Sequence, residues 1–378
     1  MTAIGALLTF IGLLATLVAR AGVGAAARGG GVAGHLRRLL TLIGLLLTLR
    51  LVGLAMASPV LTATTMVVAA WLPLTTLRLA EELVRRHAPR AVKLLALAGA
   101  GGFSLLAVTF GLVWTGAAII ALALFQAAVV VAILVHLLAE RGSVSLAERR
   151  AADMLSLAFA LALPLLATDF GRLFPDLPFR GGPFAVLVFV LACSRLAGEA
   201  SRPLRLLGDI AIAASAGGLM MLGARLTDAP APLALGFTAT AIAAAALVLL
   251  VERFADLPTR GAGLLHTVAR AGRDEAAILS AHPLLASGVP VTPADLADLP
   301  EDLVTALARQ PVVTGNRDSG NATLDGAARE LLGRFGASHL LRLSQSPPRF
   351  VAICGGALSE ARLADELTLV ARLLEPRP

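Results

Sequence analysis

Apolar residues dominate the first two thirds of the chain in nine blocks, at positions 4–19, 39–57, 60–77, 94–113, 117–138, 154–168, 184–192, 210–222 and 233–251. Each block is almost free of charge. A helix needs roughly 20 apolar residues to cross a hydrocarbon core of about 30 Å. Most blocks reach that length once their amphipathic ends are included, and 184–192 is the shortest. Beyond Val251 the pattern changes to that of a soluble domain. The sequence predicts an α-helical polytopic membrane bundle of about nine spans over residues 1–252. A connecting helix and Pro-rich linker follow over 253–299, then a small cytoplasmic α+β domain over 300–378.

Within the tail the periods alternate between helix and strand. Residues 252–282 read as a helix leaving the membrane, with Leu264, Leu265, Val268, Ala271, Ile278 and Leu279 along one stripe. Residues 283–300 read as a loop around a short helix capped by Thr292, with Pro293 at its first position. A short helix over 301–309, a strand over 311–314 and an amphipathic helix over 324–335 come next. Strands at 338–343 and 350–354 flank Ser346-Pro347-Pro348 as a hairpin. A final helix over 358–374 carries Leu363, Leu367, Val370 and Leu374 on one face.

Charge refines this picture. Mean hydropathy is +0.82 and only 15% of residues are charged, which excludes an ordinary soluble globule. The net charge of +7 does not signal nucleic acid. Residues 253–378 hold 13 Arg against 14 Asp and Glu, a balance of −1, so residues 1–252 carry +8. That excess lies in alternate interspan loops: Arg20, Arg28, Arg37 and Arg38; Arg78, Arg85, Arg86, Arg90 and Lys93; Arg141, Arg149 and Arg150; Arg195, Arg202 and Arg205. The intervening loops are poor in charge. By the positive-inside rule the basic loops are cytoplasmic, the N-terminus is outside and the tail is inside. The expected location is a bacterial inner membrane. The two cysteines, Cys193 and Cys354, fall in a span and in the tail, so neither a disulfide framework nor a metal cluster is expected.

Polar residues inside spans are functional candidates by default, because each is expensive in lipid. Arg50 stands in the second span and Asp169 at the end of the sixth. Either they pair, or Arg50 snorkels alone to the headgroups. Gln126, midway along the fifth span, either lines a polar pocket or makes a single interhelical hydrogen bond. Asp209 is expected to pair with Arg205, one turn away. Gly99 to Gly102 and Ser215 to Gly218 offer close helix–helix approach. Pro73 and Pro164 are expected to kink their helices.

Two resemblances follow from these residues. The run Pro300-Glu301-Asp302-Leu303-Val304-Thr305-Ala306-Leu307, then Pro311-Val312-Val313, then Val351-Ala352-Ile353-Cys354-Gly355-Gly356 and the Glu366-containing helix resembles the second half of a GAF domain over residues 300–375. The Asn-Lys-Phe…Asp-Glu signature of cyclic-nucleotide-binding members is missing, so no cyclic nucleotide is expected. The stretch from Arg149-Arg150 through Pro164, Asp169 and Pro175 to Ser194-Arg195 resembles the polytopic sensor half of certain bacterial membrane histidine kinases. That likeness implies a separate histidine kinase or response regulator as partner, because no H-box, nucleotide-binding Asn box or glycine-rich lid is present. His266 lacks the acidic neighbour of a phosphoacceptor.

No nucleophile–base pair is evident, and His35, His87 and His136 are too scattered for a metal or haem site. Gly29-Gly30-Gly31 lacks the Lys of a phosphate cradle. No catalytic residue, metal or cofactor is therefore expected. The reading that fits is a non-enzymatic membrane signalling protein. It would relay a membrane or extracytoplasmic cue to a cytoplasmic partner, with membrane lipid around it, no nucleic acid, and a homodimer as an open arrangement. The competing class is a transporter or polytopic membrane enzyme with an accessory regulatory domain, and a scaffold is a third. Convergent ionisable groups inside the bundle would favour the transporter or enzyme.

Overall fold

The computed structural model describes residues 3–24, 31–56, 58–84, 86–109, 116–141, 146–169, 180–196, 203–261, 263–272, 274–315, 320–353, 355 and 360–374. The chain divides into two compact units. One comprises Met1–Gly142, Ala151–Leu196 and Ser201–Phe254; the other comprises Ser143–Arg150, Ala197–Ala200 and Ala255–Pro378.

The first unit is built from helices α1 (Ala3–Gly24), α2 (Gly31–Ala55), α3 (Pro59–Val84), α4 (Arg90–Val108), α5 (Gly116–Glu140), α6 (Leu146–Ala167), α7 (Gly182–Leu196), α8 (Pro203–Leu226) and α9 (Ala231–Gly261). Eight of them are long and apolar enough to cross a membrane. Their outward faces are apolar as well: Leu105, Leu204 and Leu219 are all exposed. A soluble bundle would turn such side chains inward, whereas lipid accepts them. The chain is a multi-pass α-helical membrane protein.

The ninth helix differs from the rest. With 15 residues α7 is about 22 Å long. It is also the most enclosed, with Ala185, Leu187, Phe189, Val190, Leu191, Ala192 and Cys193 all buried. A helix walled by protein has no lipid thickness to match, so its shortness carries little penalty. Its principal neighbour is α1, and α2 packs on both α1 and α3. Hydroxyls inside the spans bond back to the helix: Thr9, Thr16 and Thr48 donate to the carbonyls of Gly5, Gly12 and Gly44. Of the small-residue runs, Gly99 and Gly217 are the functional positions for packing. A Cβ on Gly99 would collide with the Phe125 ring, and one on Gly217 with Ile242. Gly101, Gly102 and Gly218 face open space.

The second unit contains α10 (Gly263–Arg270), α11 (Glu275–Ser280), α12 (Pro283–Ala286), β1 (Val289–Val291), α13 (Pro293–Leu296), α14 (Glu301–Ala308), β2 (Val312–Thr314), α15 (Ala322–Phe335), β3 (His339–Gln345), β4 (Pro348–Ile353) and α16 (Glu360–Leu374). The strands form one antiparallel sheet in the order β1-β4-β3-β2. Alternation along the strands gives it two apolar faces. Val312, Leu341, Leu343, Val351 and Ile353 pack with α10, α11, α12 and α16 on one side. Val291, Val313, Leu340, Phe350 and Ala352 pack with α14 and α15 on the other. Buried Arg342 bridges layers: its guanidinium donates to the Ala308 carbonyl at 3.0 Å, at the C-terminus of α14, where the helix dipole favours a cation.

One expectation needs correction here. Residues 253–299 do not act only as a connector. Leu264, Val268, Ile278, Leu284 and Leu285 join one core cluster and Val291 the other. The segment 289–291, read as loop, is edge strand β1. Three residues with Pro290 at the centre give too short a run for alternation to be visible, and Pro is tolerated there because an edge needs fewer donors.

Candidate functional site

Pro73 lies inside α3. Having no N–H, it leaves the carbonyl four residues earlier, on Ala69, without its helical partner. Gln126 on α5 supplies one: its Nε2 donates to the Ala69 oxygen at 2.9 Å. Only the NH₂ end of an amide can donate to a carbonyl, which fixes the orientation of Gln126. The two open readings of Gln126 thus coincide, because the same residue lines a cavity of about 470 Å³.

That cavity lies within the first unit, between α2, α3, α5, α6 and α7. Its walls are apolar, with Leu39, Leu47, Leu72, Leu122, Phe159 and Phe189 among them. The polar lining is confined to Arg50, Thr76, Gln126 and Asp169. All three sequence candidates, Arg50, Asp169 and Gln126, therefore line one cavity. The Arg50 Nη1 lies 2.5 Å from Asp169 Oδ2, so the pair forms rather than Arg50 snorkelling alone. Asp169 is the more buried partner, at 8% side-chain exposure against 34%.

The second oxygen of Asp169 is held by the start of α7. Gly182 N–H donates to Oδ1 at 2.8 Å, and Gly181 N–H donates to Thr168 Oγ1 at 2.8 Å. These bonds need glycine: a Cβ on Gly182 would strike the Asp169 carboxylate, and one on Gly181 would strike Thr168 and the Leu165 carbonyl. The α7 N-terminus also offers its positive dipole end to the carboxylate. The sequence reading passed over Gly181-Gly182. The signal was present as a Gly-Gly-Pro run at the head of an apolar block.

A second charged cluster joins α7, α8 and α9. Asp209 is buried and pairs with Arg195 and Arg253, not with Arg205. Arg195 grips it with Nε at 3.0 Å and Nη2 at 2.8 Å, and Arg253 Nη2 bonds Oδ1. Arg205 lies one turn away on the same helix, but a bidentate guanidinium from a facing helix offers better geometry. Further along that end of the bundle, Glu81 accepts from Ala88 N–H at 2.7 Å and pairs with Lys93 at 2.8 Å. Arg86 pairs with Glu140, and His136 Nε2 contacts the Arg86 carbonyl at 3.3 Å. His136 is thus a structural residue of this turn.

In the second unit a cavity of about 360 Å³ lies beside β1 and β4, lined by Leu279, Leu285, Leu343 and Val351. Arg349 and Glu275 form an ion pair in its lining at 2.6 Å. Gly288 is required there, since a Cβ would collide with Val351. Among the described residues no three metal-ligating side chains come together. Cys354 lies outside the described residues. No family model matches this chain, and no curated protein or solved structure does either.

Proposed function

We propose that this is a non-enzymatic integral membrane signalling protein whose bundle senses a cue and whose C-terminal unit passes it to a separate cytoplasmic partner. The observation that carries the reading is the intramembrane cavity, with Arg50, Asp169, Gln126 and Thr76 on an otherwise apolar wall. Pockets of this size and character bind small molecules. In the unit downstream, Arg342, Thr292 and Asn321 are used in packing and capping, which supports relay rather than chemistry. The order of helix, strand, helix, hairpin and long closing helix supports the GAF-like reading of residues 300–374. The arginine-rich alternate loops support an outside N-terminus and a cytoplasmic tail in a bacterial inner membrane.

Two measurements test this. Reporters active only outside the cell should give signal after Pro175 and Asp228 and none after Arg86, Glu148 and Leu303; signal at Leu303 overturns the orientation. Filling the cavity with Ala162→Phe should change hydrogen exchange in residues 300–374. Unchanged exchange there refutes the relay.

Convergence of polar groups on one cavity also favours the transporter reading. Transport, however, needs access from both faces, and the cavity lines α2 only from Leu39 to Arg50, about 16 Å at 1.5 Å per residue. Substrate flux through proteoliposomes would decide for transport.

A further inference from the structure

The cavity has a length, a polarity gradient and a charge, and together they specify an occupant. Its lining covers Leu39–Arg50 on α2, Met66–Thr76 on α3 and Ile119–Val130 on α5, about 15–16 Å on each, and Phe159–Leu166 on α6 with Asp169 just beyond that helix. A full hydrocarbon core is about 30 Å, so the cavity has the depth of one leaflet, the reach of one acyl chain. Arg50 and Asp169 lie near the C-terminal ends of α2 and α6, and Gly182 begins α7. The charged lining is therefore at one end, and the walls from there to Leu39 and Val130 are apolar except for Gln126 and Thr76.

Charge narrows the choice of headgroup. Arg50 and Asp169 already neutralise each other, so a bound anion would leave an uncompensated negative charge in low dielectric. A neutral oxygen carries no such penalty. The Arg50 guanidinium has five N–H donors and the structure commits Nη1 to Asp169. At 34% exposure its side chain remains reachable from the cavity. Gln126 has committed its amide nitrogen to Ala69, which leaves its carbonyl oxygen as an acceptor for a hydroxyl. Donor and acceptor are thus both present on a wall that rejects charge.

Taking the sensor reading for its consequence, we propose that the cavity binds a neutral single-chain lipid drawn from the bilayer. Its hydroxyl or carbonyl oxygen accepts from Arg50 and its tail lies along α2, α5 and α7. The Arg50–Asp169 pair selects against charged headgroups.

The test uses the full chain in lipid nanodiscs with a diazirine-bearing monopalmitoylglycerol as probe. Crosslinks should map to the lining residues of α2, α5, α6 and α7. Unlabelled monopalmitoylglycerol should compete, while palmitate at alkaline pH and a dipalmitoyl phosphatidylglycerol should not. Ala162→Phe, which occupies the tail space without touching the ion pair, should cut labelling by about tenfold, as loss of a buried pocket implies. Where that variant does not fold, Gln126→Leu gives the second reading: the hydroxyl-bearing probe should weaken while a palmitoyl methyl ester keeps its labelling. Crosslinks spread evenly over outward-facing residues such as Leu105 and Leu219 would overturn the site. So would stronger competition by palmitate. Specific labelling with no change in the exchange of residues 300–374 would retain the lipid site and sink the sensor reading. A cavity variant that alters that exchange without any specific labelling would do the reverse.

Discussion

Asp169 and Arg50 are buried to different degrees, and that asymmetry predicts unequal mutational costs. Asp169 is 8% exposed and Arg50 34%. Arg50→Leu removes the cation and leaves the carboxylate with the Gly182 N–H as its remaining bond. Stranding a buried charge this way typically costs about 3–5 kcal/mol. Asp169→Asn removes the negative charge but keeps an oxygen for Gly182. Arg50, a third exposed on a long apolar stem, then snorkels toward the headgroups at a loss of about 1–2 kcal/mol. The double variant should cost less than the sum, with a coupling of about 1–3 kcal/mol. Reversible unfolding in mixed micelles, read by a thiol-reactive dye at buried Cys193 in a Cys354→Ser background, supplies the four stabilities. Exchanging the charges, Arg50→Asp with Asp169→Arg, should recover only part of the loss. The Gly182 N–H, which now donates to the Asp169 carboxylate, would then face a cation. A coupling within about 0.5 kcal/mol of zero would refute the pair as an energetic unit. A larger cost for Asp169→Asn than for Arg50→Leu would refute the asymmetry.

Two further outcomes follow from other clusters. Asp209→Asn leaves Arg195 and Arg253 facing each other without their shared carboxylate, so it should cost about 3–5 kcal/mol, and adding Arg253→Gln should restore part of that; wild-type stability in Asp209→Asn would contradict it. In the second unit the Thr292 hydroxyl at 2.5 Å and its N–H at 2.8 Å hold the Asp295 carboxyl below the usual carboxylate range. A depressed folded pKa stabilises above the unfolded value of about 3.9, and that contribution is lost as pH falls through the folded pKa. Amide exchange at residues 294–296, corrected for intrinsic rates, should accelerate in that acid range, and Thr292→Val should move the onset to higher pH. An onset unmoved by that substitution would count against the cap.

Most of the bundle was legible because lipid imposes a length and a composition on every span. The same demand made Arg50, Asp169 and Gln126 conspicuous, and they share one cavity. What periodicity could not show was which helices adjoin. Asp209 was assigned to Arg205 because Arg205 is near in sequence, whereas Arg195 and Arg253 reach it from α7 and α9. The link from Pro73 to Gln126 is likewise tertiary: a proline announces a free carbonyl, but only packing names its donor. In the second unit, α14, β2, α15, the hairpin and α16 were all readable from their periods, while the Asn321 cap that starts α15 two residues before the expected Leu324 was not read. The missed piece was residues 283–291, read as loop, where α12 has four residues and β1 has three; residues 252–282 were read as one helix, and α10 and α11 lie within them as separate short helices. They become structure because both faces of this antiparallel sheet are apolar, and these residues help to bury them.

The two charged clusters differ in net charge, and the difference bears on orientation. Arg50 with Asp169 sums to zero, at the end where α2 and α6 finish and α7 begins. Arg195, Asp209 and Arg253 sum to +1, at the end where α7 finishes and α8 begins. The second end is also the one whose loops hold most of the arginines. Loop charge acts during insertion, when the helices have not yet packed. Folding then buries Asp209 between two guanidiniums and keeps one positive charge at that interface. Reversing the protein in the membrane would carry the +1 cluster to the other side, and moving a charge against the membrane potential costs about 2.3 kcal/mol per 100 mV. Under the proposed orientation, with the basic loops inside, the +1 cluster would add to the bias of the loops, and the neutral pair at the opposite end would add nothing against it.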